Sequence, residues 1–179
     1  MENKSISESL IDGRIIFLKG EITPDTADSV IAQLLYLDSI SQEDIHIYIN
    51  SPGGSVLDGL AIIDTMDFIG SKVNTIAIGM AASMAAVILA CGERRYALKH
   101  SRMMIHQAYG GVQGTMSDID ISFRNMKECK KALMRLLSAK TGKSITRLEK
   151  DCDRDYWFSA EQAKDYGLID EILTKKPTE

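Results

Sequence analysis

One serine of the chain stands among small residues at a predicted strand-to-helix junction. Ser83 lies within the segment 79–86 (GMAASMAA), whose small side chains would let a substrate backbone approach the hydroxyl. The start of a helix supplies free amide groups and a positive dipole potential, and both stabilise an oxyanion. Serine is also a favoured helix N-cap, and on this segment alone capping is the simpler interpretation. The segment lacks the G-x-S-x-G pattern of the hydrolase nucleophile elbow.

A second turn of chemical interest is Ser51-Pro52-Gly53-Gly54. It ends a predicted buried strand and precedes a predicted helix. Two successive glycines allow backbone geometries closed to other residues, including amides turned toward an anion. A plain tight turn explains the same residues, so the tetrapeptide is weak evidence when taken alone.

A serine needs a base to act as a nucleophile near neutral pH, and the chain offers three histidines. His46 alternates with strand isoleucines and is expected on the opposite strand face. His100 lies in the basic segment 99–102 (KHSR) and is expected to be solvated. His106 ends an apolar strand just before a glycine-rich stretch, where a base would be held rigidly. A structural histidine would suit the same position.

The acidic candidates stand together in the segment 151–155 (DCDRD), directly before the aromatic residues 156–158 (YWF). A carboxylate beside aromatic rings is partly desolvated and could orient an imidazole. A solvated charged turn explains the segment equally well. Composition does not choose between Asp151, Asp153 and Asp155.

Composition excludes several classes of protein. With 179 residues, 45% of them apolar, and a net charge of −4, the chain is expected to form one soluble domain with its own core. No cluster of Lys and Arg suggests a nucleic-acid partner. The cysteines Cys91, Cys129 and Cys152 have no disulfide-framework or metal-ligand spacing, which favours free thiols in a reducing compartment.

The chain is also expected to have no membrane partner. The N-terminal segment lacks the apolar core and the basic start of a signal peptide. The most apolar stretch, residues 76–91, is shorter than the ~20 residues of a membrane span. We therefore predict a cytoplasmic protein.

Short β-rich runs alternate with amphipathic segments, which predicts an α/β domain. The turn 51–54 is expected to end the second strand, and Gly70 and Gly142 to end helices. Five apolar residues of the longest helix fall on one stripe: Ile119, Phe123, Met126, Leu133 and Leu137. The predicted strands are 14–19, 45–49, 73–78, 95–98, 102–105 and 168–173, and the predicted helices begin at Pro24, Val56, about Ser83, Ser117 and Ser159.

These segments together resemble the ClpP family of self-compartmentalising peptidases. The resemblance runs from residues 14–18 to residues 167–170 and therefore covers nearly the whole chain. Its motifs occur in the family's order: YINSPGG at 48–54, AASM at 81–84, MIHQ at 104–107 and DRD at 153–155. This joint match outweighs the structural interpretations given above for each segment alone.

The resemblance implies a single domain over residues 1–179 with a ClpP/crotonase-like fold of stacked βαβ units. A protruding strand–helix handle would cover about residues 110–140. Ser83 corresponds to the nucleophile, His106 to the general base and Asp155 to the residue that orients the base. Gly54 and Met84 correspond to the backbone amides of the oxyanion hole. The implied reaction is peptide hydrolysis by a serine endopeptidase, with no metal or other cofactor.

The resemblance further implies self-association into two stacked seven-membered rings, a tetradecamer whose handles interlock around a closed chamber. Unfolded polypeptides would be cleaved there. Asp153 and Arg154 match positions that couple ring contacts to the active site. An apolar cleft is where an AAA+ unfoldase would dock, and His46 stands where that cleft often has an aromatic residue. The residues matching the cleft are Tyr48, Phe68, Tyr96 and Leu173.

The family usually has a longer leader before its first helix, and the leader builds the axial pore loops. Only residues 1–5 precede the matching segment in this sequence. The sequence therefore predicts either an open axial pore in rings of this chain alone or a gate supplied by a longer ClpP paralogue.

Two alternatives differ in their chemistry. A non-catalytic structural subunit of a mixed ClpP-type ring would typically lack a member of the serine–histidine–aspartate set. An acyl-CoA enzyme of the related crotonase fold would share the double-amide oxyanion hole but would need neither that set nor the handle.

Overall fold

The computed structural model describes residues 5–107 and 110–175 of the chain. Seven helices and seven strands occur within these residues. In chain order they are α1 (Ile6–Asp12), β1 (Ile15–Ile22), α2 (Pro24–Ile40), β2 (Ile45–Gly54), α3 (Val56–Phe68), β3 (Val73–Ala82), α4 (Met84–Cys91), β4 (Arg95–Leu98), β5 (Arg102–Ile105), α5 (Met116–Thr141), α6 (Ile145–Asp151), β6 (Tyr156–Phe158), α7 (Ala160–Tyr166) and β7 (Glu171–Leu173).

The strands form one mainly parallel sheet in the order β1-β2-β3-β4-β7. The long strand β3 pairs first with β4, through residues 75–77, and then with β5, through residues 80–82. β6 is antiparallel to β5. Helices connect the parallel neighbours β1, β2, β3 and β4, as parallel pairing requires, and the predicted α/β fold is confirmed.

The buried face of the sheet is set by alternation in β2. Ile45, Ile47 and Ile49 have no solvent exposure, whereas His46 and Tyr48 on the other face are half-buried. Helix α4 belongs to this core entirely, since all eight of its residues are buried. The residue directly before α4, Ser83, is therefore attached to a helix that is buried along its whole length.

Several predicted helix ends are confirmed. Thr23 caps α2 by accepting a hydrogen bond from the Thr26 amide, and Pro24 is the first helical residue. Ser159 and Gln162 form the predicted capping box of α7. Gly142 ends α5 in the left-handed conformation, with φ 71°.

Two predicted ends are wrong. The turn 51–54 does not end β2, because Gly53 and Gly54 still pair with Glu21 and Ile22 of β1. Gly70 is not the C-cap of α3. That helix ends at Phe68, and Ile69 takes the C-cap position in extended conformation. The carboxamide of Gln42, on a flexible side chain, lies where a side chain at Gly70 would begin.

Other elements have the predicted type but differ from the prediction in where they begin or end. β3 extends to Ala82 rather than residue 78, and β7 covers only residues 171–173 of the predicted 168–173. Helix α6 and strand β6 lie in segments for which the residue pattern had predicted no element.

The predicted handle is half confirmed. Helix α5 forms as expected, but residues 110–114 form no strand within the described chain. A strand needs a neighbouring strand for its hydrogen bonds, and this exposed segment has the side chain of Met126 on α5 near Gly110 instead. The apolar stripe is also divided: Leu133 and Leu137 are buried, whereas Phe123 is 51% exposed.

Across residues 5–107 and 110–175 there is no helix with the length and apolar character of a membrane span.

Candidate active site

Ser83 has a backbone conformation that non-glycine residues rarely adopt, with φ 54° and ψ −125°. It occupies the N-cap position of α4, but its side chain makes no capping hydrogen bond. Its amide donates to the Met104 carbonyl at 2.8 Å, which ties the turn to β5. Capping, the simpler interpretation of this serine from sequence, is therefore wrong.

The Ser83 hydroxyl meets His106 instead. Ser83 Oγ lies 2.8 Å from His106 Nε2, and His106 Nδ1 lies 3.2 Å from Asp155 Oδ1. His106 directly follows β5 and Asp155 directly precedes β6. The antiparallel pairing of Ile105 with Tyr156 brings the two side chains together across 49 residues of sequence.

Ser83 and His106 are half-buried, whereas Asp155 is exposed. The His106 side chain is 17% exposed and the Asp155 side chain is 61% exposed. A hydroxyl bound to an imidazole that is itself bound by a carboxylate is the arrangement that makes serine a nucleophile. The arrangement can support acyl transfer.

The other two acids of the segment 151–155 are engaged elsewhere. Asp151 accepts hydrogen bonds from Tyr166 Oη at 2.7 Å and Arg147 Nε at 2.6 Å. Burial acts to raise the pKa of Asp151, but these two hydrogen bonds, together with the positive charges of Arg147 and Lys150, hold that pKa below its usual value. Asp153 is 71% exposed and faces Arg154 at 3.8 Å. Of the three, Asp155 is the one placed on His106.

The other histidines lie where the sequence predicted. His46 is on the face of β2 opposite the buried isoleucines, and His100 is exposed. Neither shares the site with Ser83.

Glycines let β2 pass directly beside the start of α4. A side chain at Gly53, where φ is 94°, would place its Cβ 2.7 Å from Ser83 Cβ and 2.9 Å from the Met84 amide nitrogen. A side chain at Gly54 would overlap the backbone of Ile22. The Met84 amide is the first of α4, a position without an intrahelical acceptor. The resemblance had named Gly54 and Met84 for the oxyanion hole but had given Gly53 no role. The two successive glycines of the turn were the sequence signal for this close approach of the backbone.

An apolar pocket adjoins the serine. Helices α3, α4 and α5 and the end of β5 contribute to it, so that its walls come from four separate segments of sequence. Residue patterns within single segments gave no sign of it. Its lining residues are Val56, Ser83, Met84, Val87, Ile105, His106, Leu133, Met134 and Leu137.

The residues proposed to receive an unfoldase lie on the sheet face opposite the buried isoleucines, with one exception. Tyr48 and Tyr96 share a row of the sheet through Ile76, and Leu173 pairs with Leu98 on the same face. The Tyr48 ring also lies 5.6 Å from the Phe17 ring. The exception, Phe68, ends α3 and is 83% exposed.

A parallel α/β sheet with a serine on a strained strand-to-helix turn, bound to an imidazole, is the arrangement of a serine hydrolase. Comparison with known proteins gives the family. The family model described as Clp protease matches residues 1–176. The chain belongs to the Clp protease family, which confirms the resemblance found in the sequence.

Similar curated proteins agree with this family. One from Bacteroides fragilis is 54% identical over 170 residues, covering 93% of this chain and 82% of the relative. One from Porphyromonas gingivalis is 53% identical over 169 residues, covering 93% and 76%. One from Bacteroides thetaiotaomicron is 53% identical over 170 residues, covering 93% and 77%. Each of the three is called an ATP-dependent Clp protease proteolytic subunit.

Proposed function

We propose that this chain is a serine endopeptidase subunit of a self-compartmentalising protease that cleaves peptides and unfolded polypeptides. The observation that carries the proposal is the continuous hydrogen-bonded series Ser83–His106–Asp155, with 2.8 Å and 3.2 Å between the successive atoms. Membership of the Clp protease family supports peptide bonds as the target.

In the proposed reaction, Ser83 Oγ attacks the carbonyl carbon of a peptide bond while His106 Nε2 takes its proton. Asp155 holds His106 in the tautomer that leaves Nε2 free to accept. The Gly54 and Met84 amides stabilise the oxyanion. His106 then returns the proton to the leaving amine, and water, activated by the same imidazole, hydrolyses the acyl enzyme.

The pocket beside Ser83 supports a preference for certain substrate side chains next to the cut bond. Its walls are aliphatic side chains and methionines, and such a pocket leaves a charged side chain desolvated and without a partner. We propose that an apolar residue precedes the cut bond. A peptide with leucine or methionine at that position should be cleaved faster than one with aspartate.

The proposal extends to assembly and partners. The exposed apolar side chains of α5, Met116, Ile121 and Phe123, suit burial against other copies in two stacked seven-membered rings. Asp153 and Arg154, exposed beside His106, suit a role in coupling such ring contacts to the site. The apolar face around Tyr48, with Phe68, suits docking of an AAA+ unfoldase in the cytoplasm.

The test is the variant Ser83→Ala, compared with the wild-type protein for hydrolysis of a fluorogenic peptide. We expect hydrolysis to be lost and assembly to be kept. Since Ser83 makes no capping hydrogen bond, removing its hydroxyl takes no bond from α4. Hydrolysis by Ser83→Ala equal to wild type would refute the assignment.

Labelling with a fluorophosphonate separates this proposal from the alternatives. The reagent should modify wild type at Ser83 and leave Ser83→Ala unmodified. A non-catalytic ring subunit or an acyl-CoA enzyme would remain unlabelled in the wild-type form.

A further inference from the structure

The Asp155 carboxylate is weakly held for a group that must orient a base. It is 61% exposed, and among the described residues its hydrogen-bonding partner is His106, at 3.2 Å. A side chain reaches its partner from a given rotamer only if its backbone is correctly placed, and a hydrogen bond already 3.2 Å long is lost after a small backbone shift. The turn 152–155 must therefore be held in place by other contacts.

Gln107 makes two of those contacts. Its backbone amide donates to the Cys152 carbonyl at 2.6 Å, and its carboxamide Nε2 donates to the Asp153 carbonyl at 3.1 Å. Beyond Asp155, the pairing of Tyr156 with Ile105 begins the β5–β6 ladder. Asp155 thus lies between two segments, residues 152–153 and β6, that are both hydrogen-bonded to the end of β5 and the residues just after it. His106 lies in that same part of the chain.

We propose that Gln107 is a positioning residue for the proposed peptidase reaction, on which this inference rests. Its carboxamide fixes the Asp153 carbonyl and, through the turn, keeps the Asp155 carboxylate on His106 Nδ1. The backbone contact to Cys152 persists whatever the side chain, so the carboxamide is the part that substitution can test. Gln107 does not touch the reacting atoms.

The test is Gln107→Met, which is neutral, similar in size and without a donor. We expect kcat for a fluorogenic peptide to fall about tenfold or more, because displacing a catalytic group by a fraction of an ångström is costly. KM and the melting temperature should stay unchanged, since neither the substrate pocket nor the core is altered. The matched control is Gln33→Met on α2, which also loses an Nε2–carbonyl hydrogen bond, to Ser29 at 2.9 Å. It should leave kcat unchanged.

A double-mutant cycle shows whether Gln107 acts through Asp155. Added to Asp155→Asn, the Gln107→Met change should lower kcat by less than about twofold, because the carboxylate it positions is already lost. An unchanged kcat in the single variant, or an equal loss in both backgrounds, would overturn the proposal. If Gln107→Met fails to assemble, Gln107→Asn, whose amide is one methylene too short, takes its place with the same expectations. If wild type is active and Ser83→Ala is inactive, the proposed peptidase function stands. A negative result with the Gln107 variants would then overturn only the role proposed for Gln107.

Discussion

Ser83 keeps its strained backbone because both sides of it are fixed. On one side Ala82 pairs with Met104 of β5, and on the other the buried helix α4 begins. The neighbouring alanines have a different role from the one expected from sequence. Ala81 and Ala85 are fully buried, so their small size serves core packing rather than the approach of a substrate.

At the residue scale we predict that Asp155→Asn reduces kcat far more than Asp151→Asn. The first change removes the carboxylate that orients His106, a loss that costs about 10⁴-fold in a well-studied triad. The second removes a carboxylate bound to Tyr166 and Arg147, away from the imidazole. Steady-state kinetics on a fluorogenic peptide measures both. Equal and small effects would mean that another residue orients His106.

The sequence identified these residues only in part. Without the family resemblance it left His106 open as either a base or a structural histidine, and it could not choose between Asp151, Asp153 and Asp155. The reason is tertiary: Asp151 is distinguished by its bond to Tyr166, fifteen residues later, and Asp155 by its bond to His106, 49 residues earlier. No local pattern records either contact.

At the element scale, the strand that leads to Ser83 is longer than its pattern predicted. Near Gly79 the register between β2 and β3 shifts, from Ile49 opposite Ala77 to Ser51 opposite Ala81. The Asn50 side chain accepts a hydrogen bond from the Met80 amide, at 3.2 Å, where the regular ladder is interrupted. Periodicity ended the strand at residue 78, but beyond this shift β3 pairs with β5 through residues 80–82 and so continues to Ala82.

We predict that Gly53→Ala damages the site more than a glycine substitution elsewhere. Its methyl group would meet the Ala82 carbonyl oxygen at 2.6 Å and Ser83 Cβ at 2.7 Å, and would push β2 away from the start of α4. We expect at least about a tenfold loss of kcat, as for other displaced catalytic groups.

Gly20→Ala is the matched control, because Gly20 also has a positive φ, 74°, but no atom within 4 Å of its added Cβ. It should cost about 1–2 kcal/mol of stability from backbone strain and leave kcat intact. Similar losses of activity in both variants would mean that strain, not contact with the nucleophile turn, explains the effect.

The hydrogen bond between Asp151, at the end of α6, and Tyr166, at the end of α7, gives a prediction on the pH dependence of stability. The folded pKa of Asp151 is lowered, so its contribution to stability is complete above the unfolded value of about 3.9 and is lost as the pH falls through the folded pKa. Asp151→Asn should therefore lower the free energy of unfolding by about 1–3 kcal/mol at neutral pH. At a pH well below that folded pKa, the variant and wild type should converge.

Denaturant unfolding at fixed protein concentration measures this difference, with Asp153→Asn as the control. The Asp153 side chain is 71% exposed, so its variant should match wild type at both pH values. A constant difference between Asp151→Asn and wild type across the pH range would show that charge at Asp151 does not matter.

At the scale of the whole molecule, the sequence predicted the α/β class and most element types, because alternation and helical periodicity are local properties. It did not predict the order of strands, in which β5 lies off the path β1-β2-β3-β4-β7 and pairs with the end of β3. That arrangement places His106 beside Ser83, and it follows from packing between distant segments. Residues 110–114 were predicted as the strand of the handle, and they form no strand among the residues that the structure describes.

The last prediction concerns that segment. We expect the isolated protein to be a large ring assembly and Gly111→Trp to split it into single rings of half the mass. Within the described chain nothing lies within 4 Å of a Cβ added at Gly111, which is exposed, so a larger side chain there begins in open space. We therefore attribute any loss of assembly to contact with a second copy. Light scattering at micromolar concentration measures the mass, with Gly111→Ala as the smaller, tolerated change. A monomeric wild type would contradict ring formation, and a Gly111→Trp protein of wild-type mass would show that this segment lies outside the ring contact.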